Sequence, residues 1–189
     1  ELRRGVGIVV PEDARICKTI LLAPGRSLGA TPSQIVVVEL EDKGLLTNSP
    51  VGHVVEILGT IDEPGMETEI AVRKFDLPYK FSEETKKEIK RFSDSVTKSD
   101  LRDRVDLRDI PFVTIDGADA KDFDDAVYCL PLEDGKFRLL VAIADVSHYV
   151  KPGCAIDKDA QLRTTSVYFP RRVIPMLPEE LSNGLCSLN

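Results

Sequence analysis

The chain has 189 residues, of which 42% are hydrophobic and 30% charged, with a formal net charge of −7. That profile fits an ordinary globular protein with room for two domains and argues against a uniformly basic nucleic-acid binder. No apolar run approaches the length of a membrane-spanning helix, and the opening Glu1-Leu-Arg-Arg has no apolar core of a secretory signal. Glu1 is not an initiator methionine and Asn189 follows no polar tail, so a piece of a longer chain is expected.

Residues 1–73 read as short strands between turn signals. Segments 5–10, 16–22, 34–40, 52–58 and 68–72 are rich in β-branched residues and are separated by Pro11, Pro24-Gly25 and similar breakers. Five such strands predict a small closed barrel, and the oligonucleotide-binding barrel is the five-stranded member of that class. Residues 1–72 carry 6 basic and 11 acidic residues. A strip of Arg15, Lys18 and Arg26 could face RNA only weakly against that balance.

Residues 74–109 change character. Ser82-Glu-Glu-Thr predicts a helix with a capping serine and two acids in its first turn. After Phe92 the segment 93–109 is rich in charge and poor in apolar residues, as expected of a linker.

A second domain is expected from residue 110. Residues 111–115 read as a strand, 126–130 as a second and 137–144 as a third, with Glu133-Asp-Gly-Lys136 as the hairpin turn between the last two. Residues 157–163 predict a short helix. Residues 168–178 hold too many prolines for regular structure and predict an ordered loop. Taken together, the fold class is mainly β with some α. It comprises a five-stranded oligonucleotide-binding, cold-shock-like barrel (1–73), a helix and charged linker (74–109), and the N-terminal part of an α+β domain (110–189).

Cys17, Cys129, Cys154 and Cys186 show no CxxC spacing and predict buried thiols in a reducing compartment, hence the cytoplasm.

The densest chemistry lies between the first two strands of the second domain. Asp116, Asp119, Asp122, Asp124 and Asp125 fall within ten residues, with Lys121 as the single base among them. Two carboxylates about 4 Å apart repel by roughly 4 kcal/mol at an effective dielectric near 20. Several converging on one point therefore call for a cation, and all-oxygen donors suit magnesium, manganese or calcium. An EF-hand is excluded. A loop begun at Asp116 has Lys121 where glycine is needed and Val127 where glutamate is needed; one begun at Asp119 has Asp124 and Leu130 there. A solvated acidic turn is disfavoured by the interleaved Ala118, Ala120, Phe123 and Ala126 and by the strands pinning both ends. Magnesium held by carboxylates usually meets substrate phosphates as well, and two-metal phosphodiester hydrolysis is the best-known reaction built this way.

Residues 114–127 resemble the catalytic signature of the ribonuclease II/R family, in its RNB domain. The likeness continues through Val141-Ala-Ile-Ala-Asp-Val-Ser-His-Tyr-Val150, Thr165-Ser-Val-Tyr-Phe-Pro170 and the Ile174-Pro-Met-Leu-Pro block. Residues 1–73 would then be a cold-shock domain. The resemblance implies processive 3′→5′ hydrolysis of RNA to 5′-mononucleotides with Mg2+, for which Mn2+ can substitute. It implies that Asp116, Asp122, Asp124 and Asp125 hold the metals or their waters, and that Asp124 is essential for cleavage. Tyr168 would stack near the 3′-terminal bases, a sequence-tolerant contact worth about 1–3 kcal/mol per base. Arg171 and Arg172, just after it, are expected on RNA phosphates. His148 is a weak candidate for a general base, and Asp145 reads as a turn anchor.

The expected partner is single-stranded RNA, with structured RNA reached through domains outside this chain; the protein is expected to be monomeric and away from membranes. Family enzymes use a downstream arginine and glutamate beyond residue 189, so this chain alone is expected to bind RNA without turnover. The rival reading is an RNA-binding module attached to an incomplete, silent nuclease domain.

Overall fold

The computed structural model describes all residues except 1, 4, 5, 14, 16–18, 42–49, 118, 119, 121 and 189. Cys17, Lys18, Asp119 and Lys121, all singled out in the sequence, lie outside the described residues. The chain divides into two compact units, Glu1–Leu77 and Pro78–Asn189.

In the first unit five strands form one sheet: β1 (Leu2–Arg3), β2 (Val6–Val9), β3 (Ile20–Leu22), β4 (Gln34–Leu40) and β5 (Val51–Thr60). Their order across the sheet is β1-β2-β3-β5-β4. β4 and β5 run antiparallel along their whole length, with register shifts after Ile35 and after Val37. Runs of β-branched residues favour this pleated pairing. Gly52 is required where the two strands meet: a Cβ there would lie 2.7 Å from the Glu39 carbonyl oxygen. Ile20, Leu22 and Val54 are buried within this unit.

The segment 68–72, expected as the fifth strand, is instead part of a helix, α1 (Met66–Lys74). The physical reason is visible in its flanks. Glu67 and Glu69 occupy the first turn and Arg73 and Lys74 the last, both signs matching the helix dipole. Met66 and Val72 are buried, and Arg73 pairs with Glu56 of β5 at 2.6 Å and with Glu69 one turn back. A window of five residues fits either period, and here the charges decide.

The second unit opens with α2 (Glu83–Ile89), where Ser82 caps as expected: its Oγ accepts from the Thr85 amide at 3.2 Å. α2 packs against α4 (Ala155–Arg163), and polar groups tie the two together. Asp159 accepts from the Ser82 amide (2.8 Å) and hydroxyl (3.0 Å). Glu88 accepts from the Ala155 amide at 2.9 Å, at the start of α4. The core gathers Ile156, Leu177, Leu181 and Cys186, with Ile89, Phe92 and Tyr149 packed around them. Phe92 and Tyr149 meet edge to face at 5.8 Å.

Residues 93–109 read as a linker in sequence but are anchored within this unit. Asp100 accepts from the Thr97 amide and hydroxyl at 2.7 Å each and lies 3.0 Å from His148 Nε2. Arg104 pairs with Asp145 at 2.6 Å.

Two antiparallel strands, β6 (Asp125–Pro131) and β7 (Phe137–Ile143), form the hairpin that carries the acidic loop. Its turn is the expected one, with Gly135 at φ +77°, in the left-handed region that favours glycine. The strand expected at 111–115 is reduced to one bridge, Val113 with Val127. Pro111 offers no amide, and beyond Ile115 the chain leaves the ladder for Asp116-Gly117. One face of β7 carries Phe137, Leu139, Val141 and Ile143, and all four are exposed.

α3 (Val146–Tyr149) follows β7 directly. Residues 168–178, expected as a loop, contain most of a short hairpin, β8 (Val167–Phe169) with β9 (Arg172–Ile174). The prolines sit outside the ladder: Pro170 is in the turn and Pro175 follows the last pair, so no bond is lost. A π-helical turn, Leu181–Leu185, closes the described chain. Of the described cysteines only Cys186 is buried; Cys154 is half-buried, with its Sγ 3.4 Å from the Asp157 amide, and Cys129 is exposed.

Candidate metal centre

The acidic loop is held from three directions by backbone bonds. Val113 and Val127 exchange amide bonds at 3.0 and 2.9 Å on the outer edge of β6. The Asp124 carbonyl accepts from the Ala144 amide at 2.8 Å, and the Phe123 carbonyl accepts from the Leu188 amide at 2.9 Å. Ala126, the first residue past the aspartates, is buried. Backbone fixed this way leaves the side chains free to point outward while their Cα positions stay in place.

Asp116, Asp124 and Asp125 each offer a carboxylate oxygen, and these oxygens lie within 4.8 Å of one another. All three residues are exposed, so the centre is open to solvent and to a phosphate-bearing ligand, while Ala120, Asp122 and Phe123 are half-buried and Ala126 is buried between and beside them. No lysine or arginine pairs with any of the three among the described residues. A donor set of three unpaired carboxylates, with no sulfur or imidazole, fits a hard divalent cation such as Mg2+ or Mn2+.

Asp122 does not join the three converging oxygens. It is half-buried, and its Oδ1 accepts from the Tyr168 hydroxyl at 2.7 Å. This bond joins the acidic loop to β8 across 46 residues of sequence. It holds the Tyr168 phenol above its ordinary value, because the proton is shared with Asp122; burial and the charges of Asp122 and Asp124 add to the effect. The ring itself is half exposed, with a relative accessibility of 51%.

The two arginines diverge from the cluster in different ways. Arg171 is exposed in the turn of the β8–β9 hairpin. Arg172 is half-buried, its guanidinium 5.8 Å from the Tyr79 ring. Arg15, one of the barrel residues considered for RNA, is engaged by Asp13 at 2.6 Å.

A cavity of about 240 Å³ is lined by Asp100, Arg104, Ala144, Asp145, His148 and Cys186 among others. The bond from His148, reinforced by those from Thr97, holds the Asp100 carboxyl down at about 2. Burial pushes the Cys186 thiol up to about 11. His148 is thus committed to Asp100, which removes it as a base for the aspartate centre. Asp145 is a turn anchor as expected, accepting from Ser147 Oγ at 2.9 Å while pairing with Arg104. Sequence spacing could not have found the Tyr168–Asp122 or His148–Asp100 pairs, since neither shares a local motif.

Comparison with known proteins gives this geometry its context. Residues 8–82 match the cold shock domain family and residues 104–189 the RNB domain family. The chain is 58% identical over 187 residues to ribonuclease R of Acidithiobacillus ferrooxidans, covering 98% of this chain and 42% of that protein. It is 50% identical over 185 residues to ribonuclease R of Escherichia coli, covering 98% of this chain and 23% of that one. The chain thus spans less than half the length of these relatives. Among solved structures, apo RNase R of Mycoplasma genitalium superposes with a TM-score of 0.83 at 30% identity, covering 98% of this chain and 30% of that one. The same enzyme in complex with double-stranded RNA superposes at 0.80 and 32% identity, covering 90% of this chain and 30% of that one. The fold is mainly β with some helix, a cold shock domain followed by the start of an RNB domain.

Proposed function

From the premise that this chain belongs with ribonuclease R through both its cold shock and its RNB domain, we propose that the protein carrying it is a 3′→5′ exoribonuclease. It degrades RNA processively to 5′-mononucleotides and depends on Mg2+, with Mn2+ as a substitute. The observation that carries this reading is the convergence of Asp116, Asp124 and Asp125 oxygens within 4.8 Å, inside the segment that matches the RNB domain.

In this reading Asp116, Asp124 and Asp125 hold the cation, and Asp122 stands beside them to hold a second or its waters. When bound, divalent cations polarise the scissile phosphate and balance the charge on the attacking and leaving oxygens of an in-line displacement. The chain's own part is positional. β6 fixes the backbone of Asp125 and the Ala144 bond that of Asp124, so these two carboxylates project from a fixed frame toward the cation and its phosphate. The half-exposed ring of Tyr168, tied to the same loop, offers a stacking face for a terminal base. Arg171, in the exposed hairpin turn, and Arg172 beside it supply charge for the backbone.

Single-stranded RNA is the proposed substrate, the protein acting as a monomer in the cytoplasm. None of the helices among the described residues is long and apolar enough to cross a membrane. Residues 1–189 alone are proposed to bind RNA without turnover, because the chain spans only 42% and 23% of the two relatives named above.

The test is single-stranded RNA labelled at either end, incubated with Mg2+ and the intact protein. Mononucleotides are expected to leave the 3′ end, and Asp124→Asn is expected to stop their release while RNA binding survives. Endonucleolytic fragments, or full activity in the variant, would overturn the assignment.

A further inference from the structure

Tyr168 carries two chemically separate groups that point to separate roles. Its ring is half exposed on β8, whereas its hydroxyl is spent on Asp122 Oδ1 at 2.7 Å. The hydroxyl is held there by the way its hairpin is mounted. β8 pairs with β9 in full register. The Met176 amide donates to Ser166 Oγ at 3.0 Å, and Arg163 Nη1 donates to the Pro175 carbonyl at 2.8 Å. Arg163 is itself buried, with its guanidinium 3.6 Å from the centre of the Phe81 ring. The hairpin therefore rests on α4 and on the segment leading into α2, and Tyr168 reaches the acidic loop from a fixed base.

On the other side of the bond, Asp122 has one oxygen engaged and one left for other partners. It is the described acid of the loop that stands outside the three converging carboxylates. A carboxylate next to a cation needs a donor to set its rotation, because its terminal torsion is otherwise broad. We propose that Tyr168 is a positioning residue for the divalent-cation site, its hydroxyl setting the Asp122 carboxylate beside Asp116, Asp124 and Asp125 independently of anything the ring does with RNA. This rests on the cation-dependent reading above. Removal of such outer partners typically costs about 10- to 100-fold in metal affinity.

The phenylalanine variant separates the two groups, since it keeps the ring and deletes the hydroxyl. In the intact protein, Mn2+ affinity is read from the electron paramagnetic resonance of the free ion. RNA affinity is read by fluorescence anisotropy in EDTA. Tyr168→Phe is expected to weaken Mn2+ binding about tenfold or more and to change metal-free RNA affinity far less than it changes Mn2+ affinity, since the stacking ring is kept. Asp122→Asn is expected to weaken Mn2+ binding as well, and the double variant to lose less than the two single losses combined, as coupled neighbours do. Wild-type Mn2+ affinity in Tyr168→Phe, or full additivity in the double variant, would overturn the positioning role. Failure of the unaltered protein to bind Mn2+ at all would instead overturn the cation-dependent reading on which it rests.

Discussion

Asp100 shows how much one carboxylate can organise in a segment that reads as featureless. It accepts from both Thr97 donors, lies against His148 Nε2, and is held at about 2 against an ordinary value of 3.8. A carboxyl depressed on folding contributes its full stability above 3.8 and loses it as pH falls through about 2. Asp100→Asn is therefore expected to lower Tm at neutral pH, and the gap from the unaltered protein is expected to close as the pH is brought down through that window. Thermal melts at stepped pH check this; a gap independent of pH would mean that the carboxylate's charge is not what matters. The aspartate centre carries the opposite sign of effect. Asp116, Asp124 and Asp125 are mutually repelling and lack basic partners among the described residues, so Asp125→Asn is expected to raise Tm in EDTA. The same variant is expected to gain less from saturating Mg2+, because a ligand stabilises only in proportion to its binding. A variant with lower Tm in EDTA would show that Asp125 serves the fold first.

Elements differ in how far their own residues announce them. α2 was legible because Ser82 and the two following glutamates act within one turn, and the β6–β7 hairpin because Gly135 and its neighbours make the turn locally. The segment 68–72 was not legible as helix: five residues fit either period, and Arg73 gains its anchor from Glu56 on a distant strand. Residues 111–115 carry strand-like composition yet pair at one residue, because pairing depends on what β6 leaves open. The β8–β9 hairpin was hidden by prolines that happen to fall at its turn and past its end. For the centre, the acids themselves were plain in the sequence, but which three converge and which one turns to Tyr168 depended on contacts 46 residues apart. The α2–α4 junction offers a test at this scale. Ser82 both caps α2 and donates to Asp159, so Ser82→Ala is expected to cost about 1 kcal/mol or somewhat more. The midpoint of urea unfolding of the second unit measures it, and an unchanged midpoint would show that the amide of Ser82 suffices for Asp159.

Each of the two units has its own architecture. The first is a sheet with one helix laid against β5; the second is a small helical core that carries two hairpins, one bearing the acids and the other Tyr168. Ile156 and Leu181 of the second unit are fully buried, whereas Asp116, Asp124 and Asp125 are exposed. That arrangement has a cost at β7, where Phe137, Leu139, Val141 and Ile143 stand exposed along one face of a two-stranded ribbon. A row of this kind is a landing place for any apolar molecule in the medium. In dilute solution the 189-residue chain should light up anilinonaphthalene sulfonate while fully folded, a response ordinarily taken as a sign of a loosened core. Leu139→Thr with Val141→Thr should darken it with the melting profile intact. A folded chain that leaves the dye dark would mean this ribbon is already covered in solution.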